Sequence, residues 1–289
     1  MNNINITELI INTLNTIFSN LYQSLDTAVY KFLDNLVFIT PNIVSSHFYE
    51  TIFNNPSSSI ITIANAFVFG FLLYYALSYL FSHLTYSNVQ SPKQFIFKII
   101  IISIYLNSSN YICSELLNFN EILGNLLKEI GEEITKEEIS FENFIEQINS
   151  QVLNENNSVS IFSMDGIMKS FTSINFINIL FSYALRYIML QVFILLSPFA
   201  ILTLILPSSS WIFKSWIRNL FSLLMIQHIA TILLIITFSL DFSSNQLFTK
   251  ILLVGSTYAL YHANTFTREL FGGITTNINL GNSFKFHRT

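Results

Sequence analysis

The stretch from Leu195 to Leu224 constrains the fold more than any other part of the chain. It consists of two long apolar runs joined by a short turn that begins at Pro207 and carries two tryptophans and two basic residues. Aromatic side chains and positive charges are typical of the boundary between a membrane and the cytoplasm. The stretch therefore predicts one membrane helix that ends, a tight loop, and a second membrane helix that begins.

The composition is that of a membrane protein. Hydrophobic residues make up 52% of the 289 residues and charged residues only 10%, which is more apolar material than one soluble core would use. The single cysteine, Cys113, excludes an intrachain disulfide and a metal site built from several cysteines. No positive run followed by a short apolar core and a cleavage site stands at the start, so we expect no removable signal peptide.

The N-terminal unit, residues 1–58, is predicted to contain an extracytoplasmic amphipathic helix from Ile6 to Phe38. Apolar residues recur there at helical spacing, whereas Asp26, Lys31 and Asp34 interrupt the run too often for a membrane span. Two arrangements stay open: a helix that lies in the membrane interface, and a helix that packs on the spans. A polar, proline-containing linker up to residue 58 ends this unit.

The chain is predicted to be all-α, a polytopic membrane protein with about five transmembrane helices. Two helices form a unit at residues 59–117 and three form a unit at residues 171–267. The predicted spans are Ile60–Phe81, Phe95–Leu117, Phe176–Leu206, Asn219–Leu240 and Lys250–Phe266. Four consecutive polar residues at 107–110 indicate that the second half of the second span faces protein or water rather than lipid.

Acidic residues are concentrated in residues 118–170 and just before them. Eleven of the 17 acids lie between Glu115 and Asp165. Apolar residues recur among them at helical spacing, which predicts an extracytoplasmic segment of amphipathic helices with a loop at residues 154–160. The negative charge argues against direct attraction to DNA phosphates, because binding of that kind needs lysine and arginine.

The positive charges of the short loops orient the predicted spans. One side collects seven basic residues, which are Lys93, Lys98, Lys214, Arg218, Arg268, Lys285 and Arg288. The other side carries Lys31, Lys128, Lys136, Lys169, Lys250 and nearly all of the acids. We therefore expect a bacterial cytoplasmic-membrane protein with its N-terminus outside and its tail, residues 268–289, in the cytoplasm.

Three polar residues, Arg186, Gln227 and His228, fall inside predicted spans. A guanidinium at such depth costs at least about 2.5 kcal/mol on insertion scales, so Arg186 is expected to face an interhelical partner, a water-filled cavity or a subunit interface. The alternative is that Arg186 reaches the outer headgroups. His228 is expected to form an interhelical hydrogen bond rather than to bind a ligand. Pro198 and Pro207 are the predicted helix breaks, since proline lacks an amide donor.

The loop after Pro207 is also a candidate docking surface for cytoplasmic partners. Trp211, Lys214, Trp216 and Arg218 make it the most compact basic and aromatic loop of the chain, and these residue types often anchor interfaces. The alternative is an aromatic belt, which anchors any membrane protein in lipid and explains the positions of both tryptophans.

No catalytic motif is found in the sequence. It lacks a glycine-rich phosphate loop, a His-Glu-x-x-His zinc pair and a Gly-x-Ser-x-Gly nucleophile elbow. We expect no enzyme activity, no cofactor and no catalytic or metal-binding residue. A secondary transporter or small-molecule permease is the alternative function, although such proteins tend to contain paired broken helices and the sequence suggests only one proline break.

The segment from Ser197 to Arg218 resembles the TrbL family, which includes the sixth VirB protein, of polytopic membrane components of type IV secretion and conjugation. The resemblance lies in Ser197-Pro198-Phe199, the apolar stretch to Leu206, and the Pro207-led turn with its aromatic and basic entry to the next span. The order of an external helix, about five spans, a large external segment and a cytoplasmic tail is also similar.

This resemblance implies a subunit of an inner-membrane translocation channel. The chain would contact membrane lipid, form a homo-oligomer, and assemble with other type IV secretion membrane subunits and separate ATPases to move DNA or protein. In that family the large external segment is linked to substrate passage, which corresponds here to residues 119–169. The acidity of this segment is a departure from the family pattern and argues against direct contact with DNA. It fits subunit contacts or the lining of a wide lumen better.

Overall fold

The computed structural model describes residues 12–17, 20, 32–43, 47–54, 59–85, 91–152, 163–240 and 247–272. Over these ranges the regular elements are helices and no strand is present, which confirms the all-α prediction. The α-helices are α1 (His47–Asn54), α2 (Ile60–Thr85), α3 (Pro92–Asn107), α4 (Ser109–Thr135), α5 (Phe141–Val152), α6 (Met164–Leu195), α7 (Ser197–Leu202), α8 (Ser210–Phe238) and α9 (Leu247–Phe271). Residues 12–17 and 32–37 are also helical, and Pro41–Ile43 and Pro207–Ser209 form short 3-10 helices.

Three stretches of the described chain are long and apolar enough to cross a membrane: Ile60–Ser82, Met164–Leu195 and Pro207–Phe238. Helices α3 and α4 also qualify if they are taken together as one bent span, which gives a total of four. The predicted fifth span, Lys250–Phe266, lies within α9, which is not among them. Polar residues such as His262 and Asn264 dilute its apolar character. Several apolar helices are thus compatible with a membrane protein.

Two predicted spans differ from the helices that the structure contains. The span predicted at Phe95–Leu117 is two helices bent by 59° at Ser108, and the second of them continues to Thr135. The span predicted at Phe176–Leu206 is a longer helix, α6, that starts at Met164 and ends at Leu195. Local sequence explains both breaks. At the first, a run of serine and asparagine side chains competes for backbone hydrogen bonds, and at the second, the proline lacks an amide donor.

Some sequence predictions lie wholly or partly outside the described residues. Much of the predicted helix Ile6–Phe38 is outside them, as are the loop at 154–160 and the tail after residue 272. The tail was predicted to begin at Arg268, but α9 continues to Phe271 and includes that residue.

The chain divides into two compact units. The first unit comprises residues 1–39, 122–187 and 224–289, and the second comprises residues 40–121 and 188–223. Each unit combines segments that are distant in sequence, because helices from different parts of the chain share a core.

The core of the first unit is centred on Phe144 of α5. Its ring lies 6.1 Å from the ring of Phe176 on α6 and 6.3 Å from that of Phe238 on α8. Ile145 and Ile148 of the same helix are also fully buried. The apolar face of this acidic, amphipathic helix therefore packs on two of the apolar helices that are long enough to span a membrane.

The core of the second unit joins α2, α3 and α7. Ala64 and Val68 of α2 pack with Ile99 of α3 and with Ile201 and Leu202, which follow Pro198 on α7. Pro198 lies in the first turn of α7, where its missing N–H removes no helical hydrogen bond. The predicted break at Pro198 is therefore the start of a new short helix rather than a kink within a long one.

Candidate functional site

Arg186, Gln227 and His228 form the core of a buried polar cluster in the first unit. Arg186 lies on α6, and the other two are neighbours on α8. The side chain of Arg186 is fully buried, and Gln227 and His228 are 2% and 7% exposed. The three residues predicted to make intramembrane polar contacts are thus all inside the protein, and none of them points to the surface.

Arg186 binds the end of the helical segment 32–37. Its Nη1 donates a hydrogen bond of 2.9 Å to the main-chain oxygen of Val37. The last carbonyls of a helix have no helical partner and carry the negative end of its dipole, so a cation is favourable at this place. The guanidinium also lies 5.9 Å from the ring centre of Tyr183, one turn earlier on α6. Of the predicted alternatives, the structure shows an intramolecular partner for Arg186.

Gln227 binds the residue that follows this helix end. Its Oε1 accepts a hydrogen bond of 3.2 Å from the amide of Ile39. Leu33, Val37 and Ile39 are fully or almost fully buried. Two apolar helices therefore hold residues 37–39 through one guanidinium and one amide, so this end of the N-terminal segment packs against α6 and α8.

Two glycines of α4 allow it to approach α8 closely, although no sequence motif singled them out. A Cβ at Gly124 would lie 2.5 Å from Nε2 of Gln227, and a Cβ at Gly131 would lie 2.6 Å from the side chain of Ile235. The glycines are seven residues apart and thus lie on one helix face. The chain has only eight glycines, so two of them seven residues apart on a predicted helix could have indicated a close helix contact from the sequence.

The two pairs of contacts also give a direction. Gly124 meets Gln227 and Gly131 meets Ile235, so residue numbers increase together along both helices. This part of α4 and α8 therefore run parallel, with α4 alongside the half of α8 that ends at Phe238.

Asp34 links the N-terminal segment to α5. Its Oδ1 accepts a hydrogen bond of 2.9 Å from the amide of Phe141, the first residue of α5. Ser140 acts as the N-cap, because its Oγ accepts a 3.2 Å bond from the amide of Asn143. Burial raises the pKa of the Asp34 carboxyl above its ordinary value of 3.8, although the Phe141 amide and Lys128 oppose this rise.

Two polar contacts join α6 to α9. Nζ of Lys250 lies 2.8 Å from Oδ1 of Asp165, and Nδ2 of Asn175 donates a 3.1 Å bond to Oγ1 of Thr257. Residue numbers again increase together along the two helices. The start of α9 therefore lies beside the start of α6, and the two helices run parallel.

A polar contact of the second unit supports the predicted environment of residues 107–110. Asn107 Oδ1 accepts a 3.0 Å hydrogen bond from Nδ2 of Asn65 on α2, and Ser109 is fully buried. Ser109 therefore faces protein, whereas Asn107 is exposed and is bound to a neighbouring helix.

The turn after Leu206 is fixed by its own side chains. The hydroxyl of Ser209 donates a 2.7 Å hydrogen bond to the oxygen of Thr203. Pro207 begins the 3-10 helix that leads into α8, so it is the second predicted helix break. Seven residues, 203–209, thus connect α7 to α8.

The four residues of the predicted docking surface separate into two groups. Trp211, Lys214 and Arg218 are exposed on one face of α8. Trp216 is instead 7% exposed, and its Nε1 donates a 2.9 Å bond to the oxygen of Phe193 near the end of α6. Its position corrects the prediction for this residue, because a satisfied indole inside the chain does not present itself to a partner.

No metal centre is formed by the described residues: no three His, Cys, Asp or Glu side chains come together there. A comparison of the chain with protein-family models, curated proteins and solved structures finds no match.

Proposed function

We propose that the chain is a non-enzymatic channel or scaffold subunit of a type IV secretion machine in the bacterial cytoplasmic membrane. In this proposal it forms a homo-oligomer, works with other membrane subunits and with separate ATPases, and contributes to the passage of DNA or protein. Support comes from the all-helical, apolar architecture and from the motif between Ser197 and Arg218.

The acidic face of α4 is the observation that carries the proposal. Gly124 and Gly131 attach α4 to α8, which is apolar and long enough to cross a membrane. Glu129 lies between the two glycines in sequence and is exposed, as is Glu133 one turn later. Carboxylates at this level of a span are expensive in lipid, by about 2.5–3.5 kcal/mol at the bilayer centre, and normally face water or another protein surface. An oligomer or a water-filled lumen provides such a surface.

The parallel arrangement of α6 and α9 supports a topology of five spans. A helix that starts beside the start of a membrane span and runs parallel to it along two contacts crosses the same layer in the same direction. In this proposal the polar residues of α9 face the other helices of the first unit. Thr257 and Asn264 of α9 are buried there. The N-terminus and the part of the acidic segment that follows α4 are then extracytoplasmic, and the tail is cytoplasmic.

The exposed residues Trp211, Lys214 and Arg218 would then lie on the cytoplasmic side. They provide an aromatic ring and two positive charges for an ATPase or another subunit of the machine. The aromatic-belt alternative predicts that these residues contact lipid only.

Cysteine labelling and cross-linking test the proposal. In a Cys113→Ser background the chain has no other cysteine, so Glu129→Cys introduces a single thiol. We expect a membrane-impermeant maleimide to label it, and a short bifunctional thiol reagent to link neighbouring copies. Leu73→Cys is the matched control, because Leu73 is 67% exposed on the apolar helix α2 and should be shielded by lipid.

Transfer activity gives the second test. Deletion of the gene in its host should abolish conjugative or effector transfer, and Glu129→Gln with Glu133→Gln should reduce it without loss of the protein from the membrane. A Glu129→Cys thiol that is shielded from the maleimide, in a chain that stays monomeric and whose deletion leaves transfer intact, would contradict the proposal.

One observation favours the alternative of a secondary transporter. Helices are broken at Ser108 and at Leu196, and both Ser109 and Ser197 line one cavity of the second unit. Paired broken helices are typical of transporters, in which they place polar groups around a substrate or an ion. The surface that the lining residues present to this cavity is apolar, so the hydroxyl groups of Ser109 and Ser197 are not presented to a polar substrate. Uptake of solute by the purified chain alone in vesicles would favour the transporter.

A further inference from the structure

The second unit contains an apolar cavity of about 330 Å³. It lies where the break between α3 and α4 meets the break between α6 and α7, and α8 closes one side. Six residues that line it are Tyr105, Cys113, Ser197, Phe213, Trp216 and Ile217. Its volume falls within the usual range of small-ligand sites, roughly 300–1,000 Å³.

The mouth of the cavity is bordered by residues of apolar helices that could cross a membrane. Cys113 and Trp216 are almost completely buried and form the inner wall. Tyr105 is 55% exposed and Ile217 is 37% exposed, so these two residues border the opening. Ile217 belongs to a stretch that is long and apolar enough to cross a membrane, and Tyr105 belongs to α3, which qualifies together with α4 as one bent span. With these helices in a bilayer, the phase outside the mouth would be lipid rather than water.

Positive charge stands next to this mouth. Phe213 and Ile217 face the cavity from α8, and Lys214 and Arg218 each follow one of them in sequence. Lys214 and Arg218 are four residues apart, are exposed, and thus form a pair on one helix face. Basic residues at a membrane boundary attract the phosphate groups of anionic lipids.

We propose that this cavity binds one acyl chain of an anionic phospholipid, whose phosphate is held by Lys214 and Arg218. The acyl chain would fill the space between the two helix breaks and contact the indole of Trp216. This inference does not depend on the proposed role in secretion, and it assigns a ligand to the basic residues that were predicted to dock proteins.

Tryptophan quenching by lipids with brominated acyl chains tests the site directly. The chain has only two tryptophans, so Trp211→Phe leaves Trp216 as the single reporter on the cavity wall. This variant is reconstituted in phosphatidylcholine vesicles that contain a small fraction of brominated lipid. We expect brominated phosphatidylglycerol to quench Trp216 more strongly than brominated phosphatidylcholine at the same fraction.

Variants of the basic pair separate the headgroup contact from general contact with lipid. Lys214→Gln with Arg218→Gln should lower the relative association of the anionic lipid by about fivefold per charge removed. Lys93→Gln is the matched control, because Lys93 is an exposed basic residue at the start of α3 that does not line the cavity. Cys113→Phe should fill the cavity and reduce quenching by both lipids, with helicity checked by circular dichroism.

Equal quenching of Trp216 by the two lipids would overturn the proposal, as would a preference that survives Lys214→Gln with Arg218→Gln. Absence of quenching by either lipid would show that the cavity excludes acyl chains and would overturn it as well. Because Lys214 and Arg218 are exposed, their substitution should leave the fold intact even if Cys113→Phe does not.

Discussion

Arg186 and Val37 are 149 residues apart in sequence, and Nη1 of the arginine donates a 2.9 Å hydrogen bond to the main-chain oxygen of the valine in the interior of the first unit. The contact joins a cation on an apolar helix to the carbonyl end of a helical segment near the N-terminus. It places the positive charge where helix-end carbonyls favour one.

Replacement of Arg186 by methionine should destabilise the first unit. The variant leaves the buried oxygen of Val37 without its donor, which costs about 1–3 kcal/mol of unfolding free energy. Thermal unfolding of the protein in detergent measures the loss. Arg218→Gln is the control, because Arg218 is exposed and its substitution should not change the unfolding temperature. An Arg186→Met variant as stable as the unaltered chain would contradict the role given to this bond.

Gly131→Ala should weaken the packing of α4 on α8. The new Cβ would lie 2.6 and 2.8 Å from side-chain atoms of Ile235 and 2.9 Å from Ile139, and overpacking of this kind costs about 1–3 kcal/mol. Gly70→Ala provides the control, since nothing lies within 4 Å of its Cβ position and alanine favours a helix by about 0.5–1 kcal/mol. Thermal unfolding should fall for the first variant and hold or rise for the second.

A second substitution makes the glycine prediction specific. Ile235→Ala shortens the side chain that the new Cβ would meet, so it should recover part of the stability lost in Gly131→Ala. Additive losses in the double variant would show that the two positions are not in contact.

The carboxyl of Asp34 should make stability depend on pH. Burial raises the pKa of its folded form above 3.8, so the folded state keeps this proton when the unfolded state has already released it. The stabilisation is therefore present at pH values below 3.8 and is lost as the pH rises through the folded pKa. Asp34→Asn keeps an acceptor for the Phe141 amide without a charge, and it should be more stable than the unaltered chain at neutral pH.

Unfolding temperatures measured between acidic and neutral pH test whether Asp34 makes stability depend on pH. The advantage of Asp34→Asn should shrink as the pH falls toward 3.8, and Glu133→Gln, at an exposed position, should follow the unaltered profile. Asp34→Ala should be less stable than Asp34→Asn at each pH, because it leaves the Phe141 amide without an acceptor. A constant difference between Asp34→Asn and the unaltered chain would exclude titration of Asp34 as the cause.

Labelling from one side of the membrane tests the parallel arrangement of α6 and α9. Asp165 and Lys250 form an ion pair, so they lie on the same side of the membrane, which the proposed topology makes the outer side. In a Cys113→Ser background, Asp165→Cys and Lys250→Cys should therefore both react with an impermeant maleimide applied outside the cell. Lys214→Cys should react only after the membrane is permeabilised. Reaction of the first two positions from different sides would exclude five spans, whereas reaction of both only from the cytoplasm would reverse the predicted orientation.

The sequence by itself determined which segments are apolar helices and where their polar interruptions fall. Hydropathy, helical periodicity and proline are local properties, so the turn at Pro207 and the polar run at 107–110 were predictable, whereas the sequence left open whether Arg186 is buried or reaches the outer headgroups. The ends of the helices were harder to predict: α4 and α6 continue beyond their apolar runs, because an amphipathic segment can continue a helix without being apolar throughout.

Only the tertiary structure decided which groups meet. Val37, Ile39 and Asp34 receive their partners from helices more than one hundred residues away, and no local pattern marks those pairs. The same is true of Trp216, which the sequence placed beside Arg218 on a surface loop and the fold buries against Phe193. The partner of a buried polar group depends on which helices come together, and that choice is made by the packing of the whole unit.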